Sequence, residues 1–127
     1  SDLRTAVAAA QSVYQDSGNY LGTTVAGMGA VEPSLRYITT ASASTNPNPY
    51  SVSVATNTAA SGGVPIRQAF GAAKMSRSGT CYVIKQVAAP GGTTVGNRAG
   101  TWYGSTATAA NCTGTWALTN STATRFP

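Results

Sequence analysis

Between residues 2 and 16 the apolar positions Leu3, Val7, Ala10 and Tyr14 recur at steps of four, three and four, which lays one stripe along a helix. Arg4, Gln11 and Gln15 fall on other faces, alanine raises helix propensity, and Gly18 supplies a left-handed stop. The spacing predicts a helix over 1–17, its stripe packed on a sheet. Residues 18–49 read as a connection from helix to sheet. Within it Thr24 to Met28 predicts a short helical turn bounded by Gly22 and Gly29, and Glu32-Pro33 forces extended backbone at Glu32. Leu35 to Thr39 predicts a strand or strand-like arm, and 40–49, closing on NPNP, a loop.

From residue 50 the period changes to two. Tyr50 to Ala55 alternates apolar and small polar residues, the mark of a half-buried strand. A Gly62-Gly63 turn leads into Val64 to Met75. Ser76 to Gly79 then turns the chain into Thr80 to Val87, whose β-branched and aromatic residues suit a central strand. Pro90-Gly91-Gly92 is expected to end it, and residues 101–104 and 113–119 read as short edge strands or ordered loop. One helix followed by strands predicts a single α+β domain over 1–127, with an N-terminal helix on an antiparallel sheet of about four strands.

Composition narrows the chemistry. Only 9% of the 127 residues are charged, against about 25% in a typical soluble domain, and there is no histidine. The acids are Asp2, Asp16 and Glu32, so acid–base pairs, metal-dependent hydrolysis and nucleophilic triads lack their parts. The reading is of a non-enzyme with no metal and no cofactor. Disorder is excluded too, because disordered chains combine low hydrophobicity with high charge, whereas 42% of this chain is apolar and it carries two tryptophans and six tyrosines. No run of about 20 apolar residues offers a membrane span. The chain opens without methionine inside a helical pattern, so the expectation is that a leader was removed or that the helix continues upstream.

The net charge of +5 is unevenly placed: residues 1–32 hold Arg4 against all three acids, while 33–127 hold seven cations and no acid. That division fits a polyanion partner, head-to-tail contact between copies, or a solubilising surface. Cys81 and Cys112 have no CxxC spacing and no histidine or carboxylate beside them. A single disulfide in an oxidising compartment is expected, the alternative being two separate buried thiols.

Three phrases carry a resemblance: DLRTAVAAAQSVYQDSGNY at 2–20, VAGMGAVEPSLRYIT at 25–39, and SRSGTCYVIKQV at 76–87 with a second cysteine downstream. They resemble the globular domain of type IV pilins and pseudopilins, and EPSL and SGTCY are similar to pilin-like proteins of Gram-positive, high-GC bacteria. The resemblance covers 2–87 and continues only through Cys112. It implies an extracellular, cell-surface filament subunit for adhesion, motility or attachment, held in the cytoplasmic membrane before assembly by an apolar half-helix. That segment is not in this sequence, so no cleavage site is carried over. Partners would be other pilin subunits joined through the missing half-helix, with this truncated form monomeric and touching no membrane itself. Leu3, Val7, Ala10 and Tyr14 would form the helix packing and assembly face, and a Cys81–Cys112 disulfide would pin the C-terminal region to the sheet.

Two alternatives stand beside it. A minor pilin capturing DNA would use Arg67, Lys74, Arg77, Lys85, Arg98 and Arg125, near Tyr82, Trp102, Tyr103 and Trp116 as stacking groups. A type II secretion pseudopilin would form short assemblies and often has a calcium site in its C-terminal loop, for which no carboxylate follows Glu32. Asn111-Cys112-Thr113 and Asn120-Ser121-Thr122 match the N-glycosylation sequon, and the Ser/Thr-rich stretches 39–46 and 119–124 are candidates for O-linked sugars.

Overall fold

The computed structural model describes residues 1–38, 44 and 51–127, in which helices and strands form an α+β domain. Helix α1 (Asp2–Ser17) closes where Gly18 takes a φ of 75° and its N–H donates to the Tyr14 carbonyl at 2.6 Å, a conformation that glycine reaches without Cβ strain. Helix α2 (Val25–Val31) starts at Thr24, whose hydroxyl accepts the Gly27 N–H. Strands β1 (Arg36–Ile38), β2 (Ser51–Thr56), β3 (Ala69–Met75), β4 (Cys81–Gly91) and β5 (Arg98–Thr106) follow, then a 3-10 turn at Ala109–Asn111 and helix α3 (Gly114–Asn120).

The sheet corrects the expectation of about four antiparallel strands. Among the described residues it has five, in the order β1-β2-β3-β4-β5, and it is mixed: β1 runs parallel to β2, with Arg36 opposite Ser51, while the other pairings are antiparallel. Parallel neighbours need a crossover of about a dozen residues, and segment 39–50 supplies that length.

Local expectations shift for identifiable reasons. Helix α2 runs through Gly29 because Thr24 caps it and its last turn continues to Val31. Pro90 does not end β4: a bulge between Val87 and Gly91 absorbs it, and Gly91 pairs with Arg98. The strand or loop expected at 113–119 is helix α3. Thr113 accepts the Trp116 N–H as its cap, and Gly114, Ala117 and Ser121 recur at helical spacing on its buried side. The half-buried strand expected at 50–55 is buried on both faces. Tyr50 and the 39–46 stretch, apart from Ser44, lie outside the described residues.

The double burial of β2 reflects three layers. On one face Val52, Val54, Phe70, Ala72 and Ile84 pack with Leu3, Ala6, Val7 and Ala10 of α1, and Tyr20 and Met28 close that core. On the other, Ala73, Met75, Cys81 and Val83 meet Cys112 and Ala117, and Ala69, Val87 and Trp102 meet Leu118. Helix α3 comes unusually close, since a Cβ on Gly114 would lie 2.6 Å from the Ala55 nitrogen and 2.8 Å from the Gly71 oxygen. Ser53 accepts the Gly114 N–H at 3.0 Å. After α3 the chain turns around the free side of β5, exchanging backbone hydrogen bonds between Ala123 and Tyr103, and lays Phe126 on the first face.

Candidate functional site

Helix α1 presents two different rows. Leu3, Val7 and Ala10 are buried against the sheet and Tyr14 is half-buried, its hydroxyl donating to Gln68 Oε1 at 2.7 Å. This stripe, expected to pack or assemble, is occupied within the domain. The opposite row, Arg4, Ala8, Gln11, Ser12 and Gln15, is exposed. At the start of α1, Asp2 forms an ion pair with Lys74 at the far end of β3, a carboxylate placed favourably at a helix N-terminus. Beside it Arg4 lies over the rings of Phe126 and Tyr103, 5.4 Å and 5.7 Å from their centres, and Phe126 meets Tyr82 edge-on. A cleft of about 480 Å³ opens here, between the start of α1, the Met75–Arg77 turn and Phe126.

At the other end of α1 aromatic burial dominates. Tyr20 packs 4.8 Å from Tyr14 and 6.0 Å from Phe70, ring centre to ring centre. Burial, and then the neighbouring Tyr14, push its pKa from 10.0 up to about 12. Tyr37 is also raised, by burial and then by the Glu32 and Asp2 carboxylates.

The six basic residues singled out for polyanion contact do not converge. Arg67 and Arg98 lie at the Gly18 end of the sheet, Lys74 and Arg77 at the Asp2 end, and β3 separates the two groups by about 20 Å at the usual rise per strand residue. Arg125 is exposed beside Phe126. Lys85 is on the opposite face, 6% exposed, so it is an interior residue and not part of an open basic surface. Its ammonium donates to Asn97 Oδ1 at 3.2 Å, and burial lowers its pKa from the ordinary 10.5. The stacking residues expected with these cations are divided as well: Trp102 is buried on the α3 face, under Arg98, while Tyr82 and Tyr103 belong to the α1 face.

The Lys85 environment was the least visible feature. Asn97 and the 57–64 turn that build it carry no catalytic or binding signature, yet the strand period did hold one signal: Cys81, Val83, Lys85 and Val87 alternate onto a single face, so a lysine shares the face of a buried cysteine.

Cys81 and Cys112 are disulfide-bonded with Cα atoms 5.6 Å apart, tying β4 to the residue just before the α3 cap. Ser44 is drawn to the same place, donating its N–H to the Cys112 carbonyl at 2.8 Å. Of the sequon residues, Thr113 caps α3 and Asn120 donates to the Trp116 carbonyl at 3.0 Å. Among the described residues no three of His, Cys, Asp and Glu gather where they could hold a metal ion, and no helix is long and apolar enough to cross a membrane. Comparison with models of protein families, with curated proteins and with solved structures finds no match to this chain.

Proposed function

We propose that this chain is the globular domain of a structural subunit of an extracellular type IV pilus filament, acting in adhesion, motility or surface attachment. The observation that carries the reading is the division of α1. A helix opening the chain is committed to the sheet along one row and leaves a second row of small or neutral side chains, with one arginine, facing outward. Such a row lets a neighbouring copy approach without desolvating many charges, which is costly when they are left unpaired. The pilin-like phrases add to it: the first is α1 and its aromatic exit, and the third supplies the cysteine that anchors the α3 layer.

In this reading the sheet and the disulfide form a rigid head, and the outward row of α1 meets adjacent subunits. The dispersed cations do not favour the DNA-capturing alternative. Antibodies raised against the chain, applied to its source cells and viewed by electron microscopy, are expected to decorate surface filaments along their length, and deletion of the gene to remove those filaments. Label restricted to filament tips overturns the main-subunit role, and absence of label from every filament overturns the pilus reading.

A further inference from the structure

Lys85 is a cation placed where the sequence offers it no counter-ion. Residues 33–127 contain no acid, and the elements around it add none: on this face β3 presents Ala69, Gly71 and Ala73, and α3 and the 57–64 and 92–97 turns have no ionisable side chain. The nearest charge on β5, Arg98, is of the same sign and lies over the Trp102 ring. Buried charges are ordinarily paired, but here one neutral amide oxygen meets an ammonium with three N–H donors. The amide is itself fixed, because Asn97 Nδ2 donates to Thr94 Oγ1 at 2.9 Å, so Oδ1 stays turned toward the lysine.

The lysine also lines a cavity of about 220 Å³, in which it is the sole charged group among the described residues. The lining combines hydroxyl-bearing residues, including Ser61 and Thr122, with the apolar Val64, Val95 and Leu118.

We propose that this cavity is a binding site for a small carboxylate, whose charged end is held by the Lys85 ammonium and whose short apolar tail lies against Val64, Val95 and Leu118. A phosphate dianion fits less well, because one cation leaves half its charge uncompensated and the apolar residues give it nothing. Burial disfavours the lone ammonium, and an arriving anion offsets that cost, so binding raises the Lys85 pKa. The carboxylate has two sources to distinguish: a free short-chain acid, or an acidic side chain of a second copy, of which Asp16, exposed in the last turn of α1, is the one tested. The second source rests on the filament reading; the site itself does not.

The test is an NMR titration of the intact chain with butyrate, following the Lys85 side-chain resonances. Butyrate is expected to raise the Lys85 pKa, and Lys85→Met to weaken binding by about ten- to a hundredfold, the loss of one charge-assisted hydrogen bond. Should Lys85→Met fail to fold, the wild-type titration decides alone. Lys85 resonances that ignore tens of millimolar butyrate, or inorganic phosphate binding as tightly as butyrate, overturn the proposal. Sedimentation at low ionic strength separates the sources, both of which uphold it. Self-association abolished by butyrate and by Asp16→Asn identifies a second copy, and a monomer that binds butyrate identifies a free acid. Labelled filaments with a silent Lys85 would remove this site and leave the pilus reading standing.

Discussion

Tyr20 keeps its proton to about pH 12 because it is 2% exposed and packed on Tyr14, whereas in the unfolded chain it ionises near its ordinary 10.0. Between those two values the unfolded chain has lost a proton that the folded chain retains, so stability is full below pH 10 and falls as pH rises toward 12. The loss is about 2–3 kcal/mol, at 1.36 kcal/mol for each pKa unit. Denaturant unfolding at pH 9 and pH 12 is expected to show this fall in wild type and to show it reduced in Tyr20→Phe; equal falls would remove Tyr20 as the cause. Lys85 has the opposite sign. Its folded pKa lies below 10.5, so the unfolded chain holds the proton longer and stability rises as pH climbs through that window. Ser51 is a plainer case, since its hydroxyl is buried without a hydrogen-bond partner among the described residues. Leaving such a group unsatisfied costs about 1–3 kcal/mol, so Ser51→Ala is expected to raise stability by up to about 1 kcal/mol in the same unfolding assay.

At the scale of elements, Gly114 and Cys112 decide whether the third layer stays in place. Gly114→Ala sets a methyl group against the backbone of Ala55, Val54 and Gly71, which cannot rotate away as a side chain would. Chemical denaturation is expected to show a loss of about 1–3 kcal/mol or more, the range for overpacking, where an exposed glycine in a helix would gain from the same change. Reducing Cys81–Cys112 reopens a link across 31 positions, worth about 3–4 kcal/mol by the chain-entropy relation. Hydrogen exchange is expected to speed more in 109–127 than in α1, and equal acceleration would mean that the disulfide serves the whole domain alike. These same elements show what the sequence could disclose. Helix α1 was legible because its apolar period runs long enough to exclude the alternative, and the first part of β4 because of its β-branched and aromatic residues, while its passage through Pro90 was not. Helix α3 was not, because TGTWALT is short, rich in β-formers, and helical only through the Thr113 cap and the backbone approach at Gly114. The parallel seating of β1 was equally hidden, since three residues specify no register. The candidate site follows suit: which cations exist is written in the chain, but Lys85 and Arg98 part company only through pleat and turn.

For the molecule as a whole, the two cores share strands β3 and β4, so neither layer can melt without exposing the other's sheet. The chromophores happen to be sorted by layer, with Trp102 and Trp116 on the α3 side and Tyr14, Tyr20 and Tyr37 on the α1 side. Thermal unfolding followed by tryptophan fluorescence, by tyrosine absorbance and by far-ultraviolet circular dichroism is expected to give coincident midpoints, the mark of one cooperative unit. An earlier tryptophan transition would mean that the α3 layer peels away first. The charge division persists in three dimensions in a weaker form than the sequence suggests, because Asp2 is already paired with Lys74 inside the domain. The contact of α3 with the sheet, finally, bears on the chain's history. A backbone-to-backbone seat leaves natural selection almost no choice of residue at Gly71 and Gly114, while exposed Thr115 and Thr119 on the same short helix are free to drift. Descendants of this sequence should therefore carry two nearly frozen glycines, 43 positions apart, amid threonines that have turned into almost anything polar.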